Sequence, residues 1–318
     1  MYPVLLRAPL KDYIWGGTRL KSEYGFDTEL EKVSEAWVLS CHKDGESIIE
    51  NGKLSGKSLT DALSVWGKDA LGERAAAFPY FPILIKLIDA CDRLSLQVHP
   101  DDEYAMRVEG EYGKTEMWYV VDCDEGASLI YGLTKTIDKA EFERRIRDNT
   151  IEEVCNFVPV KKGDVFFIPA GTLHAIGKGI LIAEVQQNSN TTYRVSDYGR
   201  LGADGKPRAL RVEKAIDVTK TEPPTVPYGG AVGEIRKEGD ANIRTLAECP
   251  LFTAEHLSLS GKYTVSSDGF VSAVVLSGKL IAEWENGTVE MVKGQSLFVP
   301  AGVKTVLSGD GELLLSKV

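Results

Sequence analysis

The sequence predicts a mainly β protein made of two antiparallel units of sandwich or barrel type, with a few helical insertions. Three observations carry that prediction. Short runs of Val, Ile, Phe and Tyr are separated by Gly, Asp and Asn turns, as in "DGFVSAVVLSGKLIAEWENGTVEMVKGQSLFVPAG" from Asp268 to Gly302. Turn signals recur about every 8–12 residues, the rhythm of antiparallel sheets and not of alternating βαβ units. Finally, "KGDVFFIPAGTLH" (Lys162 to His174) and "KGQSLFVPAGVKT" (Lys293 to Thr305) follow one template of Gly, five residues and Pro-Ala-Gly. A strand–turn–strand signature met twice implies two copies of one β architecture.

Length and composition agree. The 318 residues suffice for two domains with cores of their own, and 43% hydrophobic with 26% charged residues is a soluble, globular balance. A net charge of -10 argues against a nucleic-acid binder, which carries a basic footprint, but leaves room for a local basic pocket and a small anionic substrate. The N-terminal "MYPVLLRAPLKDYIWGG" is interrupted by Arg7, Lys11 and Asp12 before a signal-like apolar core develops, and "FPILIKLIDA" is too short to span a bilayer. Five scattered cysteines without CxxC spacing suit reduced thiols, so the expected location is cytoplasmic.

The first unit is expected over residues 1–222 and the second over residues 230–318. Between them "TEPPTVPYGGAVG", Thr221 to Gly233, has the composition of a linker. Two segments of the first unit space their apolar residues by three and four. These are "SLTDALSVWGKDALGERA", opening on a capping-type residue, and "TIDKAEFERRIRDNTIEEVCNFV", acidic early and basic late.

Chemistry is signalled by polar residues inside apolar strands. In "LSLQVHPDDEYA", Ser95, Gln97 and His99 share one strand face that a half-buried strand ordinarily gives to Val, Ile or Leu. In "GKTEMWYVV", Lys114 and Glu116 share a face, and His174 closes the first copy of the repeat. Burying Gln, His and Glu together without partners is costly, so a shared ligand is expected. Two imidazole nitrogens, a carboxylate and an amide oxygen suit a catalytic Zn²⁺ with a coordination position left open. Lys86, inside "FPILIKLIDA", has no role that spacing assigns. His42 reads as a surface residue or a proton relay, and His256 as structural. Arg194 reads either as a site residue or as the ion-pair partner of Asp197.

The Gly-x5-Pro-x-Gly-x2-His form ending at His174 resembles the second motif of the cupin jelly roll. Together, "LSLQVHPDDEYA", "GKTEMWYV" and "PAGTLHAIGKGILIAEVQQNSNTTYRVSDYGR" resemble the zinc-dependent, cupin-type (type I) mannose-6-phosphate isomerases in their short bacterial form. "YIWGGTRL" and "SEAWVLSCH" fit the same pattern, and the similarity runs from Tyr13 to about Arg211 with a degenerate cupin after it. The resemblance implies a double cupin, with Gln97, His99, Glu116 and His174 as ligands of one zinc ion per chain. It implies Arg194, Lys114 and Glu184 as catalytic residues, and Ser95, Lys114 and Arg194 against the substrate. Asn190 departs from the family pattern, which commonly has an acidic residue there.

The implied reaction is interconversion of mannose 6-phosphate and fructose 6-phosphate through an enediol, with Lys114 as first choice of base and Glu184 as second. The implied partner is a small phosphosugar, with neither nucleic acid nor membrane; the oligomeric state stays open. Two other readings stay open on the residues alone. An Fe or Mn oxygenase or decarboxylase would carry a third histidine where Gln97 stands. A non-catalytic sugar-binding or regulatory cupin would turn Lys114 and Arg194 away from the metal. In the second copy, Thr305 falls opposite His174, and aligning "YVVD" with "AVVL" sets Phe270 opposite Glu116. That copy is therefore expected to be apolar inside and metal-free.

Overall fold

The computed structural model describes residues 1–202, 205–229 and 233–318, and it is mainly β with short helical insertions. The first unit is two open sheets packed face to face. A six-stranded sheet runs in the order Val165–Ile168, Glu116–Cys123, Ile180–Gln187, Ile83–Ala90, Glu35–Leu39 and Leu10–Lys11. Opposite it, a five-stranded sheet runs Cys155–Pro159, Ser128–Leu133, His174–Ala175, Leu96–Val98 and Tyr193–Ser196. The central strands Ile83–Ala90 and Ile180–Gln187 are buried along their whole length, which is why they read as continuous apolar runs.

The second unit bends one sheet over on itself. Its long strands Thr253–Val265, Val271–Trp284 and Thr305–Lys317 turn the corner at glycines: Gly261 pairs with Gly309, and both have φ near 135° (136° and 134°), which side chains rarely adopt. The interior holds Ile243, Leu257, Leu259, Val271, Val275, Leu297 and Leu313, all apolar and buried. Hydrogen bonding also crosses the expected division of the chain, because Val4–Arg7 pairs antiparallel with Ser296–Val299 and adds the N-terminus to the second unit's sheet. A third core lies between the units, where Phe81 meets Phe270 at 5.2 Å and Phe270 stacks on Phe298 at 5.3 Å between ring centroids. Truncating a phenylalanine buried in this way typically costs about 3–5 kcal/mol.

The repeat superposes residue by residue in its hydrogen bonds. Gly163 and Gly294 both have φ 89°. Gly163 N donates to Val120 O and Gly294 N donates to Val275 O, each at 2.8 Å. Ile168 pairs with Glu116, and Val299, at the same distance from its glycine, pairs with Val271. Phe270 is therefore not the counterpart of Glu116. The match of "YVVD" with "AVVL" slips by one residue, and a one-residue slip exchanges the two faces of a strand. Val271 points into the second unit, while Phe270 points out into the core between units.

The first helical segment is interrupted. Ser58 and Asp61 form a capping box on the helix Leu59–Trp66, but Gly67 and Gly72, with φ 73° and 80°, break the rest of the segment into two short turns. The second is a helix over Lys139–Arg147 capped by Asp138, ended at Asn149 with φ 56°. Residues 221–229 of the linker lie against the first unit, with Gly229 N donating to Val165 O and Tyr228 stacked on Phe166 at 6.0 Å. Residues 230–232 of that segment lie outside the described residues. All five cysteines are unpaired, and among the described residues no helix is long and apolar enough to cross a membrane.

Candidate active site and metal centre

Strand register assembles the site as polar rows on facing sheets. On the five-stranded sheet, Gln97 lies opposite His174 on one side and Arg194 on the other. Across the interior, Glu184 lies opposite Lys86 on one side and Trp118 on the other, with Glu116 and Gln186 forming the next row. His99 follows the strand Leu96–Val98 and Lys114 precedes Glu116–Cys123, so both enter from strand ends.

The atoms of His99, Glu116 and His174 that can bind a metal lie within 4.8 Å of one another, and all three residues are buried. His174 Nε2 is 3.1 Å from His99 Nε2 and 3.3 Å from Glu116 Oε1; His99 Nε2 is 3.6 Å from Glu116 Oε2. The other ring nitrogens face backbone carbonyls, His99 Nδ1 at 2.9 Å from Thr191 O and His174 Nδ1 at 2.8 Å from Thr172 O. Since a carbonyl can only accept, each Nδ1 carries the proton and each Nε2 turns a lone pair inward. Burial first of all lowers both imidazole pKa values, that of His174 to about 4, and so keeps both rings neutral. Burial also pushes Glu116 up to about 7, against the pull of Lys114.

Glu116 Oε1 thus faces the lone pair of His174 Nε2 and has no hydrogen-bond donor, while the His99 lone pair faces Oε2. Converging acceptors without a donor fit a divalent cation, and the residues present are suited to hold one. The Lys114 ammonium lies 3.1 Å from His99 Nε2 and 2.7 Å from Glu116 Oε2, so it competes for two of these acceptors. Gln97 reaches the cluster with its amide nitrogen, 3.5 Å from His174 Nε2, while Ser95 Oγ donates to its oxygen at 3.3 Å.

A cavity of about 300 Å³ opens beside this cluster, and Ser95, Gln97, Lys114, Glu184, Asn190 and Arg194 all line it. Both Lys114 and Arg194 therefore face the site. Asp197 is not the partner of Arg194: it takes its hydrogen bonds from Arg200, at 2.7 Å, and from Arg208. Arg194 has a buried Nε without a hydrogen-bond partner. Burial, then the neighbouring Arg208 charge, lower its pKa, the environment of a cation awaiting an anion.

Residues with no assigned role in the sequence complete the wall. Lys86 is buried between Glu184, at 3.4 Å, and Glu35, at 3.5 Å; burial opposes its charge, but these two carboxylates prevail. Trp118 Nε1 donates to Glu184 at 2.8 Å and Trp37 Nε1 donates to Glu35 at 2.7 Å. A lysine inside an apolar strand was the available signal, because it demands buried carboxylates nearby. Tyr13 and Trp15 line the cavity from "YIWGG". A Cβ at Gly17 would come within 2.3 Å of the Asp89 carboxylate, so that turn depends on glycine. His42 is buried against Trp37, with Nε2 3.6 Å from Glu111, and not a surface residue. Asn190 donates to Asp44 at 2.8 Å, which sets a carboxylate beside the position where the family pattern has its own.

Known proteins resemble the chain along nearly its whole length. Residues 4–129 match the family model described as phosphomannose isomerase type I, catalytic domain, and residues 242–318 match mannose-6-phosphate isomerase, cupin domain. The chain is 37% identical to mannose-6-phosphate isomerase of Streptococcus mutans over 99% of its own length and 98% of the relative's. The chain belongs to the type I mannose-6-phosphate isomerase family. Its identity to mannose-6-phosphate isomerase ManA of Bacillus subtilis is 36%, over 99% of this chain and 98% of that one. The crystal structure of the mannose 6-phosphate isomerase from Bacillus subtilis superposes with a TM-score of 0.91 at 33% identity, over the full length of both chains. The double-cupin expectation is met by the family's cupin domain and by this structural match.

Proposed function

We propose that this family member interconverts mannose 6-phosphate and fructose 6-phosphate, with one Zn²⁺ held by His99, Glu116, His174 and Gln97. The observation that carries the reading is the convergence of two imidazole lone pairs and a donorless carboxylate oxygen beside a cavity lined by Lys114 and Arg194. Gln97 would complete the set by turning its carboxamide half a turn, which exchanges its oxygen for its nitrogen. A bound zinc ion would supply a Lewis acid that favours negative charge developing on substrate oxygens.

The chain's own residues perform the proton chemistry. Lys114, acting as its uncharged amine, is the base that moves a proton between C2 and C1, and it reaches the cavity from the strand end beside Glu116. Glu184, 4.0 Å from Lys114, is the alternative base. Burial raises its pKa, yet Lys114 and Lys86 outweigh that and hold it ionised. Arg194 binds anionic substrate oxygens with a guanidinium that has no protein partner, and Arg211 adds charge at the rim. Ser95 fixes the wall through its hydrogen bond with Gln97, donating to the amide oxygen as the side chain stands and accepting from the amide nitrogen once the carboxamide has turned.

The test is to supply mannose 6-phosphate to the purified protein and assay fructose 6-phosphate. Zinc-dependent turnover supports the reading. No turnover with zinc present, alongside tight binding of the sugar, would instead favour a non-catalytic sugar-binding cupin.

A further inference from the structure

Among the described residues, two arginines have a buried Nε without a hydrogen-bond partner. One is Arg194 in the active cavity. The other is Arg244, on the far side of the first unit's six-stranded sheet, in a separate groove of about 420 Å³ between the two β units.

The floor of that groove is the outward face of two paired strands, Ala241–Glu248 and Thr253–Val265, whose inward residues Ile243 and Leu257 fill the second unit. Arg244 lies directly opposite His256, and Asn242 opposite Ser258. Tyr119, which faces away from the metal centre, forms the opposing wall with Gly163, and its ring packs on His256 at 5.3 Å between centroids. His256 Nε2 is buried and has no hydrogen-bond partner. Its nearest carboxylate, Glu312, is 3.8 Å away and is engaged at its other oxygen by Ser277 Oγ at 3.2 Å.

We propose that this groove binds a phosphate-class oxyanion between Arg244 and His256, at a site separate from the active cavity. Leaving a buried donor unpaired costs on the order of 1–3 kcal/mol, so two such groups facing one groove favour an acceptor that can meet both. A guanidinium suits that role because its planar fork matches an oxyanion. Glu312, the carboxylate that the described residues place nearest His256, meets neither group within hydrogen-bond distance, and it should weaken the site by repulsion.

Inorganic phosphate is the probe, titrated into the zinc-loaded full chain at fixed pH while the His256 side-chain resonances are followed by NMR. The chain has four histidines, so comparison with His256→Gln assigns the signal. The expected result is a saturable His256 shift that survives Arg194→Ala, weakens by about tenfold or more in Arg244→Gln, and tightens in Glu312→Gln. Unchanged His99 and His174 signals in Arg244→Gln show that the variant is folded. The proposal is overturned if matched ionic strength of sodium chloride reproduces the shift, if Arg244→Gln leaves it intact, or if Arg194→Ala abolishes it.

Discussion

Glu116 and Val271 occupy one position in the two copies of a single β unit, each paired with the residue five places beyond a glycine of φ 89°. Around them, His174 corresponds to Thr305, and Gln97, which pairs with His174, corresponds to Val265, which pairs with Thr305. Where one copy collects metal-binding atoms, the other has two valines and a hydroxyl.

Exchanging chemistry across that pair has opposite expected outcomes. Glu116→Gln should weaken zinc binding severely while the protein stays folded. Val271→Glu should destabilise the protein, since its carboxyl would enter an apolar core. That carboxyl would be held neutral, with a folded pKa above its unfolded value, so the penalty is smallest below about pH 4, where only burial of the neutral group remains, and grows as pH rises above it. Melting temperatures measured across pH check this; a penalty independent of pH would contradict it.

Lys114→Met should lower kcat by about 10²–10⁴-fold, the usual cost of losing a general base. Zinc affinity should not fall, because the substitution removes an ammonium that competes for His99 Nε2 and Glu116 Oε2. Kinetics beside a zinc titration separate the two effects. A change confined to KM would transfer the base role to Glu184.

Arg194 and Asp197 should divide function from stability. Arg194→Ala should impair catalysis and weaken inhibition by phosphate with little loss of thermal stability, since it leaves no protein partner unpaired. Asp197→Asn should destabilise the fold by about 1–3 kcal/mol at neutral pH, because Arg208 and Arg200 converge on this buried carboxylate. Burial opposes the Asp197 charge, but the two arginines prevail and hold its pKa below the ordinary value. The stabilisation is therefore present above the unfolded pKa and disappears as pH falls through the lower folded one. Denaturant midpoints of wild type and variant should converge in acid.

Much of this was legible because certain residues are costly in the places where they stand. Gln97, His99, Glu116 and His174 were visible as polar residues on apolar strands, and the paired glycine turns exposed the repeat. Register was not legible at Phe270, since consecutive apolar residues of "GFVSAVV" fit either face when both faces meet a core. The helices Asp102–Val108 and Val212–Val218 were missed because seven residues give little periodicity. Lys86 announced a buried ion pair without naming its partners. Glu35 and Glu184 reach it only through strand pairing across the sheet, and spacing along the chain does not encode that.

The central claim is that one zinc ion at His99, Glu116 and His174 is required for isomerisation, and the most direct test is to titrate zinc into chelator-treated protein while recording bound metal and turnover together. The account predicts that activity rises from near zero and saturates at about one zinc per chain, as one complete ligand set requires, and that His174→Ala neither binds the ion nor turns over. Full turnover by metal-free protein, or saturation only at two ions per chain, would contradict it.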